Sequence, residues 1–282
     1  MLPGGTEAGA ALASHRGVDK VTLIGSVGAG RAVMRAASDT LKPVLLELGG
    51  KNALIAYPDS NPDAVANAIV AGMNFGWCGQ SCGSTSRAFL YDDLHDAVVE
   101  RLAKAVSRFK PGLPTDPATT MGALVGREHF DRVMGYIASG KAEGARVVTG
   151  GNAVTEGAMA GGCFVEPTIF ADVTPDMRVA REEIFGPVLV LRRWSDETTM
   201  MGEVNGLDVG LTCSIWSRDL ATAHRAARRV EAGFVWINEV GRHFLGAPFG
   251  GYKQSGLGRE EGIGELISFT QEKNVHINLA GQ

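Results

Sequence analysis

The feature that most constrains this chain is its alternation, within the first fifty residues, of apolar strand-like runs with helical segments joined through glycine turns. Gly9 to His15 reads as a short alanine-rich helix. Val18 to Ile24 is β-branched and leads into Gly25, Gly28 and Gly30. Gly30 to Ala37 then places Val33, Met34 and Ala37 on one helical stripe, and Pro43 to Leu48 returns as a strand that ends in Gly49-Gly50. Alternation of this kind predicts an α/β fold with a parallel sheet, because a parallel connection needs a crossover long enough to hold a helix.

The pattern continues down the chain. Ala53 to Ala56 predicts a short buried strand and Asp63 to Met73 a helix. Three-and-four spacing marks further helices through Leu94, Val98, Leu102 and Phe109 and through Leu220, Ala223, Ala227 and Val230. Strands are expected at 146–149, 188–191, 211–216 and 234–238. A dinucleotide-binding fold normally opens with its first strand–helix–strand unit, whereas this chain begins inside a later one. The expectation is of an amino-terminally incomplete, truncated unit of that type.

Composition removes several function classes. With 27 basic and 31 acidic residues dispersed along 282 positions, the net charge of −4 gives no phosphate-attracting face, so no nucleic-acid partner is expected. No apolar run reaches the roughly 18 residues of a membrane helix, so no membrane partner is expected either. Four cysteines, Cys78, Cys82, Cys163 and Cys213, are too scattered for a disulfide framework, which favours a reducing, cytoplasmic setting. No histidine or second cysteine pair completes a metal set around Cys78 and Cys82, so no metal is expected.

Two short segments carry chemistry. Gly79-Gln80-Ser81-Cys82, followed by Gly83, sets a thiol in a glycine-bracketed polar loop. Read by itself, Cys82 is either a nucleophile or a buried structural thiol, and Cys78 beside Trp77 and Phe75 reads as packing. In Leu45-Leu46-Glu47-Leu48-Gly49-Gly50-Lys51, Glu47 is a carboxylate among leucines. Burial would raise its pKa toward that of a general base; pairing with Lys42, Lys51 or an arginine is the alternative.

These blocks, with Glu182-Glu183-Ile184-Phe185-Gly186-Pro187 and Pro248-Phe249-Gly250-Gly251-Tyr252-Lys253-Gln254-Ser255-Gly256, stand in one order along nearly the whole chain. In that order they resemble the aldehyde dehydrogenases, carboxy-terminal portion. The resemblance implies a Rossmann-like α/β fold: residues 1–48 as the remnant of a dinucleotide-binding domain, 49–258 as a catalytic thiol domain, and 259–282 as a return helix and oligomerisation strand around Val275 to Leu279.

It also implies oxidation of a small-molecule aldehyde with NAD or NADP. Cys82 would form the thiohemiacetal and thioester, with its backbone N–H as an oxyanion donor and Glu47 as base. Gly25, Ser26, Leu48, Gly49, Glu183 and Phe185 would contact the cofactor, with Gly5 and Gly9 toward its adenine end. His129 and Arg132 read as solvated surface charge on a helix, within possible reach of the cofactor. The 250–255 turn reads as structural, anchoring a loop over the substrate entrance. The early cofactor strands, a ribose-contacting lysine and the oxyanion-hole asparagine would lie upstream of Met1. A homodimer or homotetramer is expected.

Two departures from the family pattern stand out. Ile24 occupies a position where threonine is usual, and Gly76-Trp77-Cys78 replaces the more common residues before the nucleophile. Trp77 and Phe244, with Phe75 and His243, would form an aromatic substrate mouth suited to an aromatic or quaternary-amine aldehyde. Two rival readings keep part of this picture: a cofactor-independent thiol esterase using Cys82 and Glu47, and a non-catalytic homologue acting as an assembly module.

Overall fold

The computed structural model describes residues 1–281. Its elements run in the order α1 (Thr6–Ser14), β1 (Val21–Gly25), α2 (Val27–Ser38), β2 (Val44–Leu48), β3 (Ala53–Ala56), α3 (Pro62–Gly72), β4 (Arg87–Tyr91), α4 (Asp92–Val106) and α5 (Arg127–Ala142). They continue with β5 (Arg146–Thr149), β6 (Thr168–Ala171), α6 (Arg178–Arg181), β7 (Val188–Trp194), α7 (Glu197–Asn205), β8 (Val209–Gly210), β9 (Thr212–Trp216), α8 (Leu220–Arg229), β10 (Phe234–Ile237), β11 (Tyr252–Lys253), β12 (Gly256–Leu257) and α9 (Ile263–Ile267).

The main sheet has seven strands in the order β10-β9-β3-β4-β7-β6-β5, parallel throughout except that β5 runs antiparallel to β6. Its central strands are buried on both faces. All of Ala53–Ala56 and Thr168–Ala171 is buried, which is why β3 reads as an unbroken apolar run rather than an alternating one. On one face α3 and α4 cover the core through Val65, Ile69, Val98 and Leu102; on the other, α7 and α8 close over Ile55, Phe89 and Ile215 with Met200 and Ala223.

A second, three-stranded sheet, β1-β2-β12, carries α2. β1 and β2 are parallel, with Ile24 opposite Glu47, while β12 joins antiparallel with Gly256 opposite Glu47. The α/β class, the parallel sheet and the strands expected at 146–149, 188–191, 211–216 and 234–238 are observed with small shifts of their ends. β4, β6 and α7 were not expected from the sequence. β4 follows the cysteine loop directly, and the serine-rich stretch before Arg87 masks its start.

Residues 271–279 pair with no strand among the described residues, and Val275, Ile277 and Leu279 are exposed. No helix of the described residues is long and apolar enough to cross a membrane.

Candidate active site

The chain crosses from the small sheet to the large one at Gly49-Gly50, between Glu47 and Lys51. Close packing forces the glycines: a Cβ on Gly49 would strike the Glu183 carboxylate, and one on Gly50 would strike Asn52 Oδ1. The Gly50 N–H donates to Glu183 Oε1 at 3.2 Å. Ser255, fully buried in the 250–255 turn, donates from Oγ to the Gly49 carbonyl at 2.8 Å, and its own carbonyl accepts from the Leu48 N–H at 2.9 Å. That turn therefore anchors the β2 end of the crossover.

The thiol arrives from the other sheet. After α3, three successive left-handed or tight turns, at Asn74 (φ 54°), Cys78 (φ 57°) and Gly79 (φ 64°), reverse the chain before Cys82. Only glycine fits at 79, where a Cβ would meet the Gly186 carbonyl. Cys78 is buried and its Sγ–H donates to the Gly122 carbonyl at 3.0 Å, a packing role. Cys82 is half-buried and opens into a cleft of about 490 Å3.

That cleft brings together most of the expected residues. Cys82, Gly25, Ser26, Gly49, Glu183, Phe185 and Trp77 line it, joined by Ile24, Gln80, His129 and Arg132. Ser26 caps α2, its Oγ accepting from the Ala29 N–H at 3.2 Å, so the amino end of a twelve-residue helix faces the same opening. Phe185 holds φ 56° and is 37% exposed, its backbone pinned by His129 Nε2 on its carbonyl at 2.7 Å. Arg132 Nη2 donates to the Glu183 carbonyl at 2.8 Å.

His129 and Arg132, expected as solvated surface charges, are thus cleft-lining residues that hold the Glu183–Phe185 segment. Their backbone partners lie more than fifty residues away, so no local pattern could have marked them. Several expected residues lie elsewhere. Gly5 and Gly9 are exposed on α1 with open space around them. Leu48 is buried and faces a separate groove with Leu46, Val27 and Arg31.

Phe244 does not line the cleft and packs under the Arg242 guanidinium. Phe75, expected at the mouth, is fully buried against Phe109, with ring centroids 5.6 Å apart. A ring placed just before a tight turn serves the core first, because it gains about 2 kcal/mol or more by leaving water. His243 stacks with Phe234 and Phe249. Of the expected aromatic mouth, Trp77 alone lines the cleft.

Electrostatics single out the pair of Cys82 and Glu47. Glu47 is 2% exposed and neither of its oxygens takes a hydrogen bond from the described residues. Burial pushes its carboxyl up to about 8, reinforced by Glu260 and opposed by Arg259. Its Oε1 leans on Gly250, where an added Cβ would come within 2.7 Å. The Cys82 thiol is pushed up first by burial, then by the charges of Glu47 and Glu183, while the Gly83 and Cys82 amides hold it down. The charge of Glu47 therefore reaches the Cys82 sulfur, which lines the cleft, while Glu47 itself is buried outside that lining.

Glu183 is raised by burial and held down by the Gly50 N–H, Lys51 and Arg132. Lys51 is fully enclosed, its Nζ has no partner among the described residues, and burial followed by the Arg87 charge brings it down to about 7. A thiol, a buried carboxyl whose charge reaches it and a cleft edged by Trp77 and Phe185 at a helix amino terminus together suit covalent addition to a carbonyl beside a bound anion.

Comparison with known proteins agrees. The model of the aldehyde dehydrogenase family matches residues 1–275. Over 285 aligned residues the chain is 56% identical to aldehyde dehydrogenase tropH of Talaromyces stipitatus, covering 100% of this chain and 55% of that protein. It is 41% identical to betaine aldehyde dehydrogenase of Brucella anthropi, covering 99% of this chain and 57% of that one. An NAD+ complex structure of aldehyde dehydrogenase from Bacillus cereus superposes with a TM-score of 0.91 at 39% identity, over 96% of this chain and 54% of that one. The chain spans about half the length of the curated relatives it matches. By the family model and by these identities, it belongs to the aldehyde dehydrogenase family.

Proposed function

We propose that this chain carries the thiol site of an NAD(P)-dependent oxidation of an aldehyde to a carboxylic acid. The observation that carries the reading is the convergence, on one cleft of about 490 Å3, of Cys82 from the large sheet with Gly25, Ser26, Gly49, Glu183 and Phe185, backed by Glu47. In this reading residues 1–48 form the cofactor side, 49–258 the thiol side and 259–282 the return helix and oligomer-forming strand. β12 reaches back to complete the sheet of the first segment.

The cleft fits the nicotinamide end of such a cofactor. Its floor at Gly49 carries no side chain, the α2 amino terminus offers unpaired N–H groups to phosphate, and Glu183 offers carboxylate oxygens to ribose hydroxyls. Phe185 provides a ring face. NAD(P), when bound there, supplies the hydride acceptor that lets the Cys82 adduct be oxidised.

The protein's own residues do the rest. Cys82 Sγ adds to the aldehyde carbon after its proton leaves toward Glu47, whose raised pKa lets it take a proton near neutrality and return one later. The Cys82 N–H, which donates to no other backbone group among the described residues, is available to the oxyanion. Glu47 then activates the water that hydrolyses the acyl thioester.

Two measurements on the chain test this reading. Iodoacetamide should label Cys82 faster than Cys78, Cys163 or Cys213, and aldehyde-dependent NAD(P)H formation should vanish in Cys82→Ala. Equal labelling of all four cysteines would refute it.

A further inference from the structure

The backbone around Cys82 is held by two side chains outside the residues assigned above. Asn52 is 3% exposed and Thr212 2% exposed, one at the start of β3 and the other at the start of β9. Asn52 Nδ2 donates to the Cys82 carbonyl at 2.6 Å and to the Ser84 carbonyl at 3.0 Å. Thr212 Oγ1 donates to the Gly83 carbonyl at 3.2 Å. The two are themselves linked, because the Thr212 N–H donates to Asn52 Oδ1 at 3.0 Å.

Three consecutive carbonyls, 82, 83 and 84, are thus drawn into the protein by one buried pair. A peptide plane fixed at its oxygen is fixed at its N–H as well, since the unit is planar and trans. The plane of the Cys82 carbonyl carries the Gly83 N–H, which donates to no backbone carbonyl among the described residues and holds the Cys82 thiol down. The Asn52 amide has used both of its donors and its acceptor, so no alternative pairing is left to it.

We propose that Asn52 and Thr212 are positioning residues that clamp carbonyls 82 to 84 and thereby fix the Gly83 amide, which shares its peptide plane with the Cys82 carbonyl, beside the reacting sulfur. Without the clamp the 82–83 plane would rotate, and the thiolate would lose a donor that an otherwise buried, acid-flanked sulfur needs. The inference rests on Cys82 being the reactive thiol proposed above, but its test requires neither aldehyde nor cofactor.

The experiment is the pH dependence of iodoacetamide alkylation of the folded chain, read peptide by peptide, with half-buried Cys163 as the internal reference. Asn52→Asp keeps the shape but removes both amide donors and faces oxygen with oxygen. It should raise the Cys82 midpoint by about one pH unit and slow alkylation at pH 7 about tenfold. Thr212→Val, which removes only the hydroxyl, should slow it about threefold. Neither should alter Cys163.

Should Asn52→Asp fail to fold, Thr212→Val and Asn52→Ser carry the same comparison. A variant whose melting temperature falls while its Cys82 midpoint stays put overturns the clamp and leaves a structural role. A wild-type Cys82 no faster than Cys163 overturns both the clamp and the proposed function, whereas a fast Cys82 indifferent to both variants overturns the clamp alone.

Discussion

Cys82 precedes β4 of the seven-stranded sheet on a turn whose carbonyls 82 to 84 are bound by Asn52 and Thr212, whereas Glu47 sits within a strand of the three-stranded sheet with neither carboxylate oxygen bonded to the described residues. The strands differ in the same sense. β3 is buried at every position, while β1 exposes Thr22, Ile24 and Gly25 beside Glu47's strand. A satisfied polar group in a rigid core fixes geometry; an unsatisfied carboxyl fixes a protonation equilibrium instead. The proposed reaction needs both, a sulfur that stays in place and a proton acceptor whose affinity lies near neutrality.

The most severe way to break the comparison is to remove the sulfur. Cys82→Ser should lower aldehyde-dependent turnover by at least about a thousandfold while leaving the fold intact, because serine in that turn keeps the clamp but lacks a comparably acidic nucleophile. Circular dichroism and steady-state rates check it together. A serine variant retaining a tenth of the activity would remove the thiol from the chemistry.

Removing the carboxyl comes next. Glu47→Gln should slow acyl turnover about a hundredfold and flatten its pH profile. With Glu47 at about 8, the basic form in wild type grows with pH and saturates above that value. The rate should therefore climb about tenfold per pH unit below 8 and level off beyond it. A wild-type limb unchanged in Glu47→Gln would assign the base to another group.

Gly49→Ala tests the crossover between the two regions. The added methyl meets the Glu183 carboxylate, so that carboxylate must swing aside and release the Gly50 N–H. Affinity for NAD(P)+ should fall about tenfold, with Cys82 alkylation unaffected, since overpacking of this kind costs about 1 to 3 kcal/mol. Isothermal titration measures the first and peptide mapping the second. An equal loss in both would mean that the crossover supports the whole site and not the cofactor side alone.

How much of this was legible in the sequence follows from range. Elements whose burial pattern is local, such as β2, β3, α4 and α8, were readable because each needs only its own periodicity. Glu47 was readable because a carboxylate among leucines violates that periodicity, and Cys82 because glycines bracket it. His129, Arg132, Asn52 and Thr212 were not, since each acts on backbone 30 to 129 residues away and a carbonyl partner leaves no trace in residue type. Phe75 and Phe244 misled for the complementary reason: an aromatic residue near a functional loop looks the same whether it lines a cleft or fills a core.

The smallest expected effect lies at Lys51, four residues beyond Glu47 and, like it, buried with no hydrogen-bond partner among the described residues. Its amine falls from an ordinary 10.5 to about 7 on folding, chiefly through burial. Between those values the unfolded chain holds a proton that the folded chain has released, so stability rises with pH across that window, and the cost is fully present below 7. Glu47 acts in the opposite sense between 4.5 and 8, where the folded chain holds the extra proton. Lys51→Met removes only the first contribution. It should be more stable than wild type at pH 6.5, and the advantage should shrink by up to about 1.4 kcal/mol per pH unit above 7. Urea denaturation at pH 6.5 and 9 reads the difference. A constant gap between the two proteins would mean that Lys51 is neutral or partnered at both pH values, and that the unsatisfied character of the segment around the crossover is confined to Glu47.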